Sequence, residues 1–126
     1  MKIQVIDNIL SVSKVKTLKN IDFNQEFIFL AKTDEEISIV HDKDFKLENV
    51  IEESNYWRAF RVDDVLDFNL VGIIKKISTL LANNNIPIFV VSTYNTDYIL
   101  VQETNFPKTL EVLKKNDYEI EKKALW

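Results

Sequence analysis

Between Tyr56 and Glu121 the spacing of apolar residues switches repeatedly between two and three-to-four, and that succession restricts the fold more than any single motif. Residues 56–62 (YWRAFRV) are β-favouring. Their alternation puts Tyr56, Phe60 and Val62 on one face and Trp57 and Ala59 on the other, which predicts a strand covered on both sides. A polar, turn-like DDVLDFN follows. Leu70, Ile73, Ile74, Ile77, Leu80 and Leu81 then recur at helical spacing, with Lys75, Lys76, Ser78 and Thr79 off the stripe. Asp67 or Asn69 can cap the start of this helix, and Asn83, Asn84 and Asn85 end it. Residues 86–91 (IPIFVV) spell a buried strand with Pro87 at its beginning. A tight turn near Asn95 returns the chain as YILV, making a hairpin. Pro107 suits a first helical turn, with Thr104 or Asn105 just outside it. Phe106, Leu110 and Leu113 form the next stripe, and Lys114 and Lys115 sit favourably at its C-terminus. Tyr118 and Ile120 then alternate with Asp117 and Glu119 in a last edge strand.

The order is β-α-β-β-α-β, which predicts an α+β, ferredoxin-like arrangement with two helices on one face of an antiparallel sheet. Earlier residues spell strands and little helix. Ile9 to Val15 is one strand. Residues 27–32 (FIFLAK) and 37–41 (ISIVH) form a hairpin turning at Thr33 to Glu36. The expected organisation is a smaller β-rich half over 1–54 packed beside a complete domain over 55–126.

Composition removes several functions. The single glycine, Gly72, excludes the dinucleotide, P-loop and nucleophile-elbow motifs, which need at least two. Cysteine is absent, so no thiol chemistry or cysteine zinc site exists. The one histidine, His41, ends a predicted strand and reads as structural. Asp63, Asp64 and Asp67 lack the loop glycine and bidentate glutamate of a calcium site, so no metal and no cofactor are expected. A net charge of −4 disfavours nucleic acid and anionic membrane. No apolar run approaches membrane-spanning length and no signal peptide is legible, so the expected setting is cytoplasmic.

WRAFRVDDVLDFNLVGI followed by IPIFVVSTYNTDYILV resembles the small bacterial ACT-domain proteins, related to the regulatory domains of aspartate kinases and to the cytosolic arginine sensor of animals. The residues that carry it are Trp57, Arg58 and Val62; Leu66, Asp67, Phe68, Leu70, Gly72 and Ile73; and the run from Ile86 to Val101 containing Ser92, Thr93, Thr96, Asp97 and Tyr98. FIFLAKTDEEISIV resembles the family's upstream hairpin, with Lys32 where arginine is usual. The resemblance covers about residues 26–115. It implies two ACT-like halves, the first reduced, and binding of an amino acid without catalysis. The ligand would lie where the loop and helix start at 65–72 meet the strand end 92–97 of a neighbouring unit.

The residues so indicated are Val65, Leu66, Asp67, Phe68, Asn69, Gly72 and Ile73 on one side and Thr93, Tyr94, Asn95 and Asp97 on the other. A helix start supplies N–H donors to a carboxylate, and Gly72 would let a group approach closely. Asp97 would face the ammonium, Thr93 and Asn95 would hydrogen-bond, and Tyr94 would wall the side-chain pocket. Each has a plainer use. Gly72 can serve helix–sheet packing, Asp97 a turn, Asp67 a cap, and Tyr94 a surface or dimer contact. Leu70, where the animal sensor carries an acidic residue, points away from a basic ligand side chain. The second expectation is a regulatory interaction module with a vestigial pocket, as a homodimer. Acylphosphatase chemistry is disfavoured because DDVLDF would repel phosphate. RNA binding is disfavoured because YILV replaces the aromatic, basic surface strand of RNA-recognition domains.

Overall fold

The structure, a computed structural model, describes residues 1–62 and 72–122. The strands are β1 (Lys2–Val15), β2 (Phe29–Lys32), β3 (Ile37–Asp42), β4 (Val50–Val62), β5 (Phe89–Ser92), β6 (Asp97–Gln102) and β7 (Glu119–Lys122). The helices are α1 (Ile73–Asn83) and α2 (Phe106–Lys115), the latter preceded by a 3-10 turn, Glu103–Asn105. Two compact units result: residues 1–7 with 58–126, and residues 8–57. Residues 1–7 belong with the larger unit. Both long strands run through the division, β1 after Asp7 and β4 after Trp57.

In the larger unit β5 and β6 form the expected antiparallel hairpin, with Phe89 opposite Leu100 and Ser92 opposite Asp97. β6 neighbours β4, β4 neighbours β1, and β7 closes the sheet on β1. The β1–β7 pair is parallel, from Lys2 opposite Glu119 to Val5 opposite Lys122. The sheet is therefore not wholly antiparallel, and the first residues of the chain stand between the strands expected to be first and last. Ile3, Val5, Phe60, Ile99 and Val101 present one apolar face, on which Ile73, Ile77 and Leu81 of α1 and Phe106, Val112 and Leu113 of α2 pack. Both helices lie on that one face.

The two helices end alike. Asn84 N–H and Ile86 N–H reach Leu81 O at 3.1 and 3.0 Å, and Asn116 N–H and Tyr118 N–H reach Leu113 O at 3.1 and 3.0 Å. Asn85 and Asp117 take the positive φ that such an ending needs, 59° and 68°. The asparagine run thus ends α1 as its chemistry predicts. The N-cap of α1 is Gly72, with no side-chain cap bond among the described residues; Asp67 and Asn69, the expected caps, lie outside them.

In the smaller unit the order is β2-β3-β1-β4. β2 and β3 pair antiparallel from Phe29 opposite Val40 to Lys32 opposite Ile37. β3 pairs antiparallel with β1 from Leu10 opposite Asp42 to Val15 opposite Ile37. Its hairpin repeats that of the larger unit. Thr33 N–H donates to Glu36 O at 2.9 Å and Thr93 N–H to Thr96 O at 2.8 Å. In both, the threonine hydroxyl also accepts from the N–H three residues on, at 3.2 Å.

Tyr56 departs from the predicted alternation. Its φ of 66° interrupts β4, so it is half exposed while Phe60 is fully buried. A residue in the left-handed region within a strand marks a bulge, which slips the side-chain phase.

Candidate functional site

The described part of the expected site starts at Gly72. Its φ of +118° suits glycine alone among the twenty residues at low cost. Among the described residues, a Cβ added there meets nothing within 4 Å. Backbone conformation, rather than close helix–sheet packing, is what calls for glycine. Gly72 sets the first turn of α1, where Gly72 O accepts from Lys76 N–H at 2.9 Å. The N–H groups at this end have no intrahelical acceptor. Ile73 has its side chain in the core, so toward a ligand it could offer backbone only. Val65, Leu66, Asp67, Phe68 and Asn69 lie outside the described residues.

Beside Gly72 a groove of about 470 Å³ runs along α1, lined by Gly72, Lys75, Lys76, Thr79, Leu80 and Asn83. These residues recur at three and four, so the groove follows one helical face. Two lysines at its glycine end make that end cationic, and the rest is chiefly apolar. Neither lysine was singled out from the sequence for binding; their position off the apolar stripe was the available signal.

The β5–β6 turn carries the other expected residues. Thr93 uses its hydroxyl within the turn, donating to Thr96 O at 3.1 Å and accepting from Thr96 N–H. Asp97 faces Ser92 across the hairpin and accepts from its hydroxyl. Asn95 is exposed, and Tyr94 is fully exposed at the tip. Residues 93–97 do not line the groove beside Gly72. Among the described residues Tyr94 is fully exposed, so its ring is open to a second surface.

A second cavity, about 350 Å³, lies in the smaller unit. Lys14, Lys16 and Lys32 line it together with Asp34, Glu35 and Glu36 of the β2–β3 turn. Cations and carboxylates in one cavity suit a zwitterion. Sequence reading missed it because the lysines are separated along the chain and meet only when β1 and β2 flank β3.

Arg61 organises the sheet near the larger unit's centre. Its Nε donates to Gln4 Oε1 at 2.8 Å and its terminal nitrogen to Tyr98 OH at 2.8 Å. Arg58 stacks on Phe106, 4.4 Å from the ring centre. His41 is buried in the smaller unit. Its Nδ1 donates to Asp42 O at 2.9 Å, and its Nε2 lies 2.7 Å from Ser13 Oγ. Among the described residues no cluster of histidine and carboxylates is arranged to hold a metal, and no helix is long and apolar enough to cross a membrane.

A sequence profile of the ACT domain matches residues 52–115, and the chain belongs to that family. Among solved structures it is similar to a protein of Agrobacterium tumefaciens at 24% identity, covering 98% of this chain and 94% of that one, with a TM-score of 0.85. It is also similar to the regulatory subunit of aspartate kinase from Thermus thermophilus, at 8% identity, 87% and 93% coverage and a TM-score of 0.60. A putative C-terminal regulatory domain of aspartate kinase from Porphyromonas gingivalis is 17% identical over 90% and 95%, with a TM-score of 0.57. No relative was found among curated proteins. At these identities the structural likenesses establish the fold. It is the α+β, ferredoxin-like ACT fold, with β1 added beside β4.

Proposed function

We propose that this protein is a non-catalytic, cytoplasmic sensor of a small amino-acid-like molecule, working as a regulatory module. The observation that carries the reading is Gly72. An ACT-family chain with one glycine has it as the N-cap of α1, in a conformation other residues resist, at the cationic end of a groove. Helix-start N–H groups with Lys75 and Lys76 suit a carboxylate. Asp97, Asn95 and Tyr94 would come from a second copy, which supplies the ammonium acceptor and the side-chain wall. The exposure of Tyr94 supports that division of labour. The loop 65–69 would complete the site.

The smaller unit reads as a reduced ACT-like half. Its support is the hairpin repeat: the same register, the same threonine bonds and a third strand on the same side, β1 beside β3 and β4 beside β6.

Thermal-shift measurements across the twenty amino acids test the function. A ligand at 100 times its Kd adds about 2.7 kcal/mol. Stabilisation by one amino acid, reduced by Lys76→Ala and Asp97→Asn, is expected. No shift with any amino acid at millimolar concentration would overturn the reading. It would favour the second one, a homodimeric interaction module with a vestigial pocket, for which the exposed Tyr94 and Val90 speak.

A further inference from the structure

We propose that His41, Ser13 and Glu53 of the smaller unit bind one proton as a unit, and that this proton ties β1 to both of its neighbours. Ser13 and His41 are buried, at 0% and 1% exposure. Ser13 Oγ lies 2.7 Å from His41 Nε2 and 3.1 Å from Glu53 Oε2, and His41 Nδ1 is 2.9 Å from Asp42 O. A carbonyl only accepts, so Nδ1 carries a proton. The hydroxyl has one proton to give. Neutral histidine with ionised glutamate supplies two protons for three contacts, so one contact must go without.

One added proton satisfies all three. It binds Nε2, which then donates to Ser13 Oγ, and the hydroxyl proton turns to Glu53 Oε2. A protonated glutamate donating toward Ser13 and on to a neutral imidazole gives the same count. In both forms the added proton lies within the same three contacts. With the proton bound, Ser13 links β1 to β3 and to β4 together. Without it, Ser13 keeps one link and loses the other.

Charged groups on the surrounding elements are placed differently. Strand alternation turns Lys14, Asp42 and Glu52 to the opposite face from Ser13, His41 and Glu53. The Asp42 carboxylate accepts from Asn8 and from Asp44 N–H. Lys32 lies opposite Ile37, four residues along β3 from His41. Lys43 stands over the Tyr56 ring at 4.8 Å. Asp22 and Glu26 lie on the segment before β2. Glu53 is thus the acid joined to the imidazole through Ser13. The device also adjoins the cavity: Val15 and Ile51, each two residues from a member, line it. It does not depend on what that cavity binds.

His41 is the only histidine, so a nitrogen-15 NMR titration of the full chain from about pH 5 to about pH 9 reads this imidazole alone. A protonated imidazole at the acid end with Nε2–H shielded from exchange is expected. Glu53→Gln should lower the midpoint by about half a unit or more, and Glu52→Gln by clearly less. In a Ser13→Ala background the Glu53→Gln effect should vanish. Glu53 is exposed, so its variants keep the fold even where Ser13→Ala does not. An unchanged midpoint in Glu53→Gln, an equal shift in Glu52→Gln, or an imidazole neutral throughout would overturn the proposal.

Discussion

Thr33 and Thr93 close their hairpins in the same way, each bonding through backbone N–H and side-chain hydroxyl to the residue three positions on. The hairpins share their strand lengths on both sides of the turn: four residues before and six after. Equal local chemistry in both units predicts equal local cost. Thr93→Ala and Thr33→Ala should each destabilise by about 1 kcal/mol. Urea unfolding checks this, with a lower midpoint, an unchanged slope and additive effects in the double variant.

Gly72 separates conformation from contact. Since an added Cβ meets no atom of the described residues within 4 Å, Gly72→Ala should cost about 1–2 kcal/mol through backbone strain. Calorimetry on the ligand-free protein measures it. A negligible change would mean that the left-handed conformation is not required in solution.

Tyr94 offers the opposite case. Fully exposed, its replacement by alanine should change stability by less than about 0.5 kcal/mol. The same variant should weaken both the amino-acid thermal shift and self-association by light scattering. Retention of both would remove Tyr94 from the proposed site.

Tyr118 gives the alkaline dependence. Burial raises its phenol above the usual tyrosine value. The folded state therefore holds this proton more tightly than the unfolded state. That contribution is present below the unfolded value and is lost as pH rises through about 10 and the folded value above it. Tyr118→Phe should flatten the alkaline end of a stability-versus-pH curve.

Phe60 marks the shared core of the sheet and both helices. Phe60→Ala should cost about 3–5 kcal/mol, read as a large fall in thermal midpoint. A small loss would mean that α1 and α2 do not depend on this face.

The amino-acid sequence by itself determined the local elements. Helical spacing from Ile73 to Leu81 and from Phe106 to Leu113, the asparagines after α1, Pro107 and the two threonine-closed turns all act within a few residues, so their chemistry is legible in order. The turn positions of Tyr94 and Asn95 and the strand-start position of Asp97 were legible for the same reason. Only the tertiary structure decided the rest. Lys2 to Val5 joins Glu119 to Lys122 in parallel, a pairing between the two ends of the chain that no local period encodes. Tyr56 slips out of phase where β4 passes from one unit to the other. Lys14, Lys16 and Lys32 meet Asp34 to Glu36, and His41 meets Ser13 and Glu53, because strand neighbours are chosen by burial of whole faces. That choice minimises exposed apolar area over the assembled sheet, a quantity belonging to no single segment.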